Sequence, residues 1–334
     1  MKLPVLTFIT LSAFLAILTP GASAQTIGGG EGWSIKGTDP IQIFYGDEHI
    51  TSYVSGFDAG KPYFYPINGP TGENLTRHWP MEEGFEDEET DHIHHRGLWY
   101  GLGNVNGLDF WHFPLDEKKK DKTFGSVRHM GMNGVTMSKD DLTFKTKSEW
   151  LAFDDETKRV MSDRREFRLF YDGNGSLVID ITLTLIADAG DVTINDDKEG
   201  AWAIRTIPTL RLKGEHAKGD AINSEGVAGK EVWGKRAKWV DYFGVDRAGN
   251  AVGIAMFDHP SNFRHPTWWH ARDYGLFTAN PFGQGHFEKE APKEAGKHVL
   301  KNGEELTFRY RTIFHKGSPD EAGIATAYEA FIKK

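Results

Sequence analysis

The stretch that decides the fold is SLVIDITLTLIA, Ser176–Ala187. Leu177, Ile179, Ile181, Leu183 and Leu185 recur at every second position, with Asp180, Thr182 and Thr184 between them. Successive side chains of a strand point to opposite faces, so this period of two predicts a strand with one apolar and one polar face. A strand polar on one side belongs in an antiparallel sheet, because parallel sheets bury both faces. Just upstream, Asp172-Gly173-Asn174-Gly175 is a turn signal that joins it to the run Arg165–Tyr171. The alternation returns in Glu305–Phe314, where Leu306, Phe308, Tyr310 and Phe314 oppose Thr307, Arg309 and Arg311. Weaker versions occupy Ile41–Tyr45, Leu142–Phe153, Lys238–Phe243 and Val252–Phe257.

The expected fold class is therefore all-β: a large, supersandwich-like antiparallel β-sandwich with a C-terminal helix. For that helix Ser318 is the expected N-cap, Pro319 the first helical residue and Glu321 the partner in a capping box. Ile324, Tyr328, Phe331 and Ile332 give it an apolar face. No linker, repeat or low-complexity segment divides the chain, so residues 25–334 read as a single β-sandwich domain.

The 334 residues are 39% hydrophobic and 26% charged, which is enough for a sizeable core. Residues 1–24 read as a secretory signal peptide. Lys2 supplies the positive charge, Leu3 to Leu18 is mostly apolar, and Ala22-Ser23-Ala24 supplies small residues before Gln25. The expectation is a secreted or periplasmic bacterial protein. No later run approaches the ~20 apolar residues of a membrane helix, so no membrane partner is expected after cleavage. With no cysteine, the chain can use neither disulfides nor thiolate ligands. Acidic residues outnumber basic ones, 48 to 39, for a net charge of −9, which argues against nucleic acid as a partner. The run Lys118-Lys119-Lys120 sits among acids and reads as a solvated loop.

Three stretches interrupt the strand pattern. The first runs from Asp91 through His92, His94, His95, Arg96 and Trp99 to Asn106, Asp109, Trp111 and His112. On a strand, His92 and His94 would share a face, a spacing that suits a metal with Asp91 or Asp109 as a further ligand. Charge pairing with the acidic loop Glu82 to Glu89 is the plainer alternative. The second is Asp196-Asp197-Lys198-Glu199-Gly200, followed by Arg205, in which Lys198 or Arg205 could position Glu199 for proton transfer. The third, Phe257 to Gly283, holds His259, Asn262, Arg264, His265, Trp268, Trp269, His270, Arg272 and Asn280, stiffened by Pro260 and Pro266.

Together these residue types suit a sugar. Indole and phenol rings pack on the C–H faces of a pyranose, and Asn, Asp, Arg and His serve its hydroxyl rim. Paired imidazole and carboxylate can move protons at a hemiacetal, a glycosidic bond or a carbon beside a carbonyl. His94, His95, Glu199 and His259 are the catalytic candidates. Arg96, Asn106, Asp109, Arg264 and Arg272 are candidates to hold hydroxyls or an acidic group, and Trp99, Trp268 and Trp269 to stack. Trp111, Arg205, Asn262, His265, His270 and Asn280 complete the binding set. The reading is a carbohydrate-active enzyme (epimerase, hydrolase or lyase) acting on a small-molecule or oligosaccharide substrate with no cofactor. A non-catalytic sugar-binding module and a His-ligated metalloenzyme are the alternatives. No glycine fingerprint for a dinucleotide and no Gly-x-Ser-x-Gly elbow occurs.

Five motifs carry a family resemblance: Asp91–Trp99, Asn104–Trp111, Lys198-Glu199-Gly200, Trp239-Val240-Asp241-Tyr242, and Asp258-His259-Pro260-Ser261-Asn262 through Asn280-Pro281-Phe282-Gly283. The sequence resembles the bacterial family labelled PmoA, with Ile93 where that family's Asp-His-Pro-His-His form has proline. The label implies a methane oxygenase subunit. That enzyme is an integral membrane copper protein, and the absence of a spanning segment opposes the implied activity. The resemblance implies instead a galactose-mutarotase-like sandwich.

Overall fold

The structure is a computed structural model that describes residues 26–27, 32–112 and 123–333. The expected signal peptide and Lys118–Lys120 lie outside the described residues. Two large antiparallel sheets face each other. Sheet one has nine strands among the described residues, in the order Thr26–Ile27, Trp33–Lys36, Ile41–Tyr45, Glu48–Val54, Tyr63–Ile67, Leu98–Leu102, Gly200–Arg205, Leu276–Asn280 and Trp268–Trp269. Sheet two has eight: Asp220–Asn223, Trp239–Val245, Ala251–Asp258, Glu305–Lys316, Leu177–Ile186, Arg159–Tyr171, Asp141–Ala152 and Gly125–Met137. This is the antiparallel sandwich the alternation predicts. Ile181 lies opposite Tyr310 on one side and Phe167 on the other.

One expected strand is longer than its alternation suggested. Arg159–Tyr171 begins six residues before Arg165, because two of its inward positions carry charge. Asp163 and Arg165 are both buried between the sheets, where Arg165 Nε and Nη2 donate to the two carboxylate oxygens at 3.0 and 2.7 Å. Trp150 Nε1 donates to the same carboxylate at 2.8 Å. A fully satisfied ion pair replaces the apolar residues that periodicity looks for, and a pattern search stops there.

The C-terminal helix is also present but shorter than expected, Ile324–Phe331. The capping box at Ser318 forms, with the Ser318 N–H donating to Glu321 Oε2 at 2.8 Å and the Glu321 N–H to Ser318 Oγ at 3.3 Å. It closes a single turn. Gly323, at φ 65°, then breaks the helical path before the chain resumes. The helix packs Ile324, Tyr328 and Phe331 on Val178, Phe257 and Ile313, the outer face of sheet two. Among the described residues no helix is long and apolar enough to cross a membrane.

Strand parity divides sheet one into an inner and an outer face. Leu98, Tyr100, Leu102, Trp202, Ile204, Phe277 and Ala279 enter the core between the sheets. Trp202 Nε1 crosses it to donate to Thr312 Oγ1 at 3.0 Å. Their alternates Trp99, Ala203 and Leu276 join Tyr63, Tyr65 and Trp111 in a second cluster on the outer face. The polar loops lie over that second cluster.

Candidate active site

Over the outer face of sheet one, loops enclose a cavity of about 510 Å³. Its lining comes from all three polar stretches. Asp91, His92, His94, His95 and His112 come from the first, Lys198 and Glu199 from the second, and His270, Arg272 and Tyr274 from the third.

The histidine segment of the first stretch, residues 91–97, is not a strand. A turn at Ile93–His94, closed by the His95 N–H donating to the His92 carbonyl at 2.9 Å, carries it onto the sheet. His92 has φ 45°, so the expected strand geometry that would pair His92 with His94 is absent. Gly97 ends the loop at φ 55°, where a Cβ would run into the Phe64 carbonyl. Buried Arg77 pins the loop from beneath through Asp91 Oδ1 at 2.6 Å and the His92 carbonyl at 2.9 Å. Among the described residues no three His, Asp or Glu side chains converge as a metal site.

Hydrogen bonds fix which ring nitrogen does what. Arg205 Nη1 donates to His95 Nδ1 at 3.1 Å. Arginine has no acceptor, so Nδ1 is unprotonated and Nε2 carries the hydrogen. Burial, reinforced by His94 and Arg205, holds His95 well below the usual imidazole range, so it is neutral. The Trp233 indole likewise donates to His270 Nδ1 at 3.1 Å, placing the His270 hydrogen on Nε2. Burial pushes His270 down to about 3. His112 has the opposite arrangement. Its Nδ1 faces Asp109 Oδ2 at 2.8 Å, so Nδ1 donates to that carboxylate. Asp109 Oδ1 accepts the N–H groups of Trp111 and His112, each at 2.9 Å. Buried Lys61 donates to the Trp111 carbonyl at 2.6 Å, and burial brings its pKa to about 7. His94 sits between His95 and His112, 4.4 Å from each ring, and burial holds it well below its usual range.

Glu199 lines the same cavity. The Asn280 amide donates to the carbonyls of Asp197 and Lys198, both at 2.9 Å, and so fixes the segment leading into the strand Gly200–Arg205. Lys198 Nζ donates to Glu199 Oε1. The other oxygen, Oε2, faces His270 Nε2 at 4.0 Å. Burial alone would raise the Glu199 pKa, yet it lies below the usual range, with the Lys198 ammonium on Oε1. With His270 neutral above about pH 3, Lys198 is the cation that keeps Glu199 ionised at neutral pH.

Trp233→Phe is expected to keep the ring packed on Phe287, 5.5 Å away, and to remove only the N–H. The ¹⁵N shifts of His270 should change from one tautomer to a mixture. Any turnover assigned to the cavity should fall about tenfold, the worth of one hydrogen bond. An unchanged ¹⁵N spectrum would refute the tautomer assignment.

Several candidate residues lie elsewhere. His259 is not in the cavity; its Nδ1 bonds Ser261 Oγ at 2.8 Å and its ring meets Phe331 of the C-terminal helix at 5.2 Å. His265 and Asn262 both bind Asp258, at 2.7 Å. Arg264 donates to the carbonyls of Pro281, Gly296, Ala295 and Lys297 and anchors that loop. Asn106 turns the chain at φ 50° and donates to the Asp191 carbonyl at 3.1 Å. Arg96 reaches the carbonyls of Ile93 and Asp58. Asp109, Arg205 and Asn280 act one layer back, on His112, His95 and the Glu199 segment.

The expected stacking surface is corrected most sharply. Trp99, Trp111, Trp268 and Trp269 are all buried. Trp99 and Trp111 lie against the His95 ring, at 5.5 and 5.8 Å between centroids. Trp268 and Trp269 donate to Glu288 and to the Ala237 carbonyl. An indole needs an apolar home: the outer cluster of sheet one takes Trp99 and Trp111, and the core between the sheets takes Trp269. Tyr274 is the phenol in the cavity wall, under Arg205 at 4.5 Å. Asp241, from another motif, is part of the core, paired with His315 Nε2 at 3.0 Å. Asp91, His92, His112, Lys198 and Tyr274 complete the wall beyond the candidate set. The histidine-rich first stretch and the Lys198-Glu199 pair were the signals for four of them.

The sequence pattern of a family of unknown function, DUF6807, matches residues 41–329. The chain belongs to that family. The PmoA likeness rests on the motifs alone. No curated protein matches. Solved structures similar to this DUF6807 chain include the GalM/aldose epimerase homologue from C. elegans, 7% identical, covering 89% of this chain and 100% of that one, TM-score 0.32. A putative aldose 1-epimerase from Klebsiella pneumoniae is 12% identical over 93% of this chain and 87% of that one, TM-score 0.35. The 4-alpha-glucanotransferase from Thermococcus litoralis is 9% identical over 88% of this chain and 39% of that one, TM-score 0.26.

Proposed function

We propose that this protein is a secreted carbohydrate-active enzyme that moves protons on a sugar, of the isomerase or lyase type. The observation that carries the reading is Glu199 Oε2 facing His270 Nε2 across 4.0 Å, where the bond from Trp233 leaves the ring hydrogen on Nε2. That gap is too long for a direct hydrogen bond and accepts a substrate oxygen about 2.8 Å from each. Glu199 takes a proton from a hemiacetal hydroxyl or from a carbon beside a carbonyl. The electron pair left behind moves toward an oxygen that accepts the imidazole N–H, so charge develops where a donor already points. His95 Nε2–H adds a donor of fixed sense, which suits a polyhydroxylated ring.

Two-carboxylate glycoside hydrolysis fits less well. It needs one carboxyl held protonated by a raised pKa. Both carboxyls of this cavity, Glu199 and Asp91, are shifted down.

The test is incubation with a panel of free sugars, native glycosides and oxidised glycosides in D₂O, followed by proton NMR. Accelerated anomer exchange, or deuterium appearing at one carbon, is the expected result. Binding with neither exchange nor product would make the protein a sugar-binding module. Release of a reducing end without exchange would make it a hydrolase.

A further inference from the structure

A second cavity, of about 550 Å³, adjoins the first and shares Arg272 with it. The segment His270–Arg272 is the wall between them: His270 faces the inner cavity, Ala271 lines the outer one and Arg272 lines both. Trp233 also lines the outer cavity, and its indole N–H holds His270. Whatever occupies the outer space therefore touches the residue that sets the tautomer of the proposed catalytic pair.

We propose that this outer cavity is the continuation of the substrate site and that it selects an acidic oligosaccharide, with an anionic group of the ligand seated on Arg272. The proposal rests on the carbohydrate reading above and adds the substrate class to it.

Three observations carry it. The first is size. Small-ligand cavities run on the order of 300–1,000 Å³, and each of these two falls within that range alone, so the pair suits a ligand longer than one ring. The second is charge. Lys230, Lys235, Lys289 and Arg272 line the outer cavity against Glu231 and Asp273, a cationic patch on a chain whose net charge is −9.

The third observation is Arg272 itself. Other arginines of this fold have acceptors: Arg77 and Arg205 share Asp91, Arg165 holds Asp163, Arg247 holds Asp87 and Glu88, and Arg311 holds Asp180. Arg264 and Arg236 take backbone carbonyls. Arg272 is half-buried, and among the described residues its guanidinium makes one contact, over the Tyr274 ring at 5.4 Å. A partly desolvated guanidinium with five donors and a fixed planar fork is matched by a carboxylate or a sulfate. Either anion presents that chemistry on a sugar, as a uronate or as a sulfate ester.

The experiment is calorimetric titration of the full mature chain with trigalacturonate, a triglucuronate, a sulfated trisaccharide and neutral maltotriose, at about 50 and 300 mM salt to vary screening. The acidic probe of best fit should bind at least about tenfold more tightly than the neutral one, and the margin should shrink with salt. The better of the uronate and sulfate arms identifies the anion. Arg272→Gln should abolish the margin, and Arg272→Lys should keep part of it. The exposed double variant Lys235→Gln/Lys289→Gln should reduce it independently. The Trp233 indole signal should shift with the acidic trisaccharides and stay put with a monosaccharide. Neutral and acidic probes of equal affinity, or a margin that survives in folded Arg272→Gln, would overturn the acidic subsite while leaving the carbohydrate reading intact. Failure of every saccharide to bind would overturn both.

Discussion

Glu199→Gln should lower turnover by about 10²–10⁴-fold, the range for loss of a general base, with binding of the substrate little changed. Glutamine keeps the shape and the acceptor oxygen that receives Lys198, so the fold has no reason to respond. What it removes is a carboxylate already ionised at neutral pH, since its pKa lies below the usual range against burial, with Lys198 Nζ donating to Oε1. A side chain that only bound substrate would raise KM and leave kcat alone. The measurement is therefore kcat and KM on whichever panel sugar turns over, with the unfolding midpoint as control. A kcat within threefold of the parent would remove Glu199 from the chemistry. His270→Asn, judged on the same assay, should show the smaller loss expected for a hydrogen-bond donor rather than a base.

Asp91→Asn should cost about 3 kcal/mol of stability at neutral pH. Two guanidinium groups with fully buried side chains, Arg77 and Arg205, reach the same oxygen of Asp91 at 2.6 and 3.3 Å. Asparagine leaves both cations buried without that counter-charge. Removing one partner of a buried pair costs about 3–5 kcal/mol, and the lower end applies because Asp91 is 35% exposed and solvent screens part of the loss. The pH dependence follows from the direction of the shift. Burial would raise the Asp91 pKa, but the hydrogen bond from His92 and the charges of Arg205 and Arg77 bring it well below the usual range. A carboxyl depressed in the folded state stabilises fully above its unfolded pKa of about 3.9 and loses that contribution as pH falls toward the folded value. The gap between parent and variant should therefore be widest at pH 6–7 and close below about pH 4. Urea midpoints across that range check it, and a constant gap down to pH 2 would show that Asp91 contributes shape rather than charge. His94 and His95 ride on the same loop, so loss of stability here should carry loss of activity with it.

The strands were legible because burial on one face writes itself into the sequence every second residue. Leu177–Ile186, Ile41–Tyr45 and Glu305–Lys316 fall where the alternation puts them. The pattern failed where a core position is filled by a satisfied ion pair, as at Asp163 and Arg165. The candidate site was legible as stretches but not as side chains. His94, His95, Glu199, His270 and Arg272 meet at one cavity, whereas His259, Asn262, Arg264 and His265, from the same third stretch, do not. The tryptophans looked like a stacking surface by composition, and they are buried instead, Trp99 and Trp111 of them against the His95 ring.

The sequence by itself determined the class of fold, the lack of disulfides and thiolate ligands, and the three stretches from which the site is drawn. Only the tertiary structure decided which polar side chains face the cavity and which nitrogen of His95 and His270 carries the hydrogen. The physical reason is that outside a strand no fixed period relates neighbouring side chains. A loop histidine takes its direction and its tautomer from its hydrogen-bond partner, and the partners that matter here, Arg205 for His95 and Trp233 for His270, are 110 and 37 residues away along the chain.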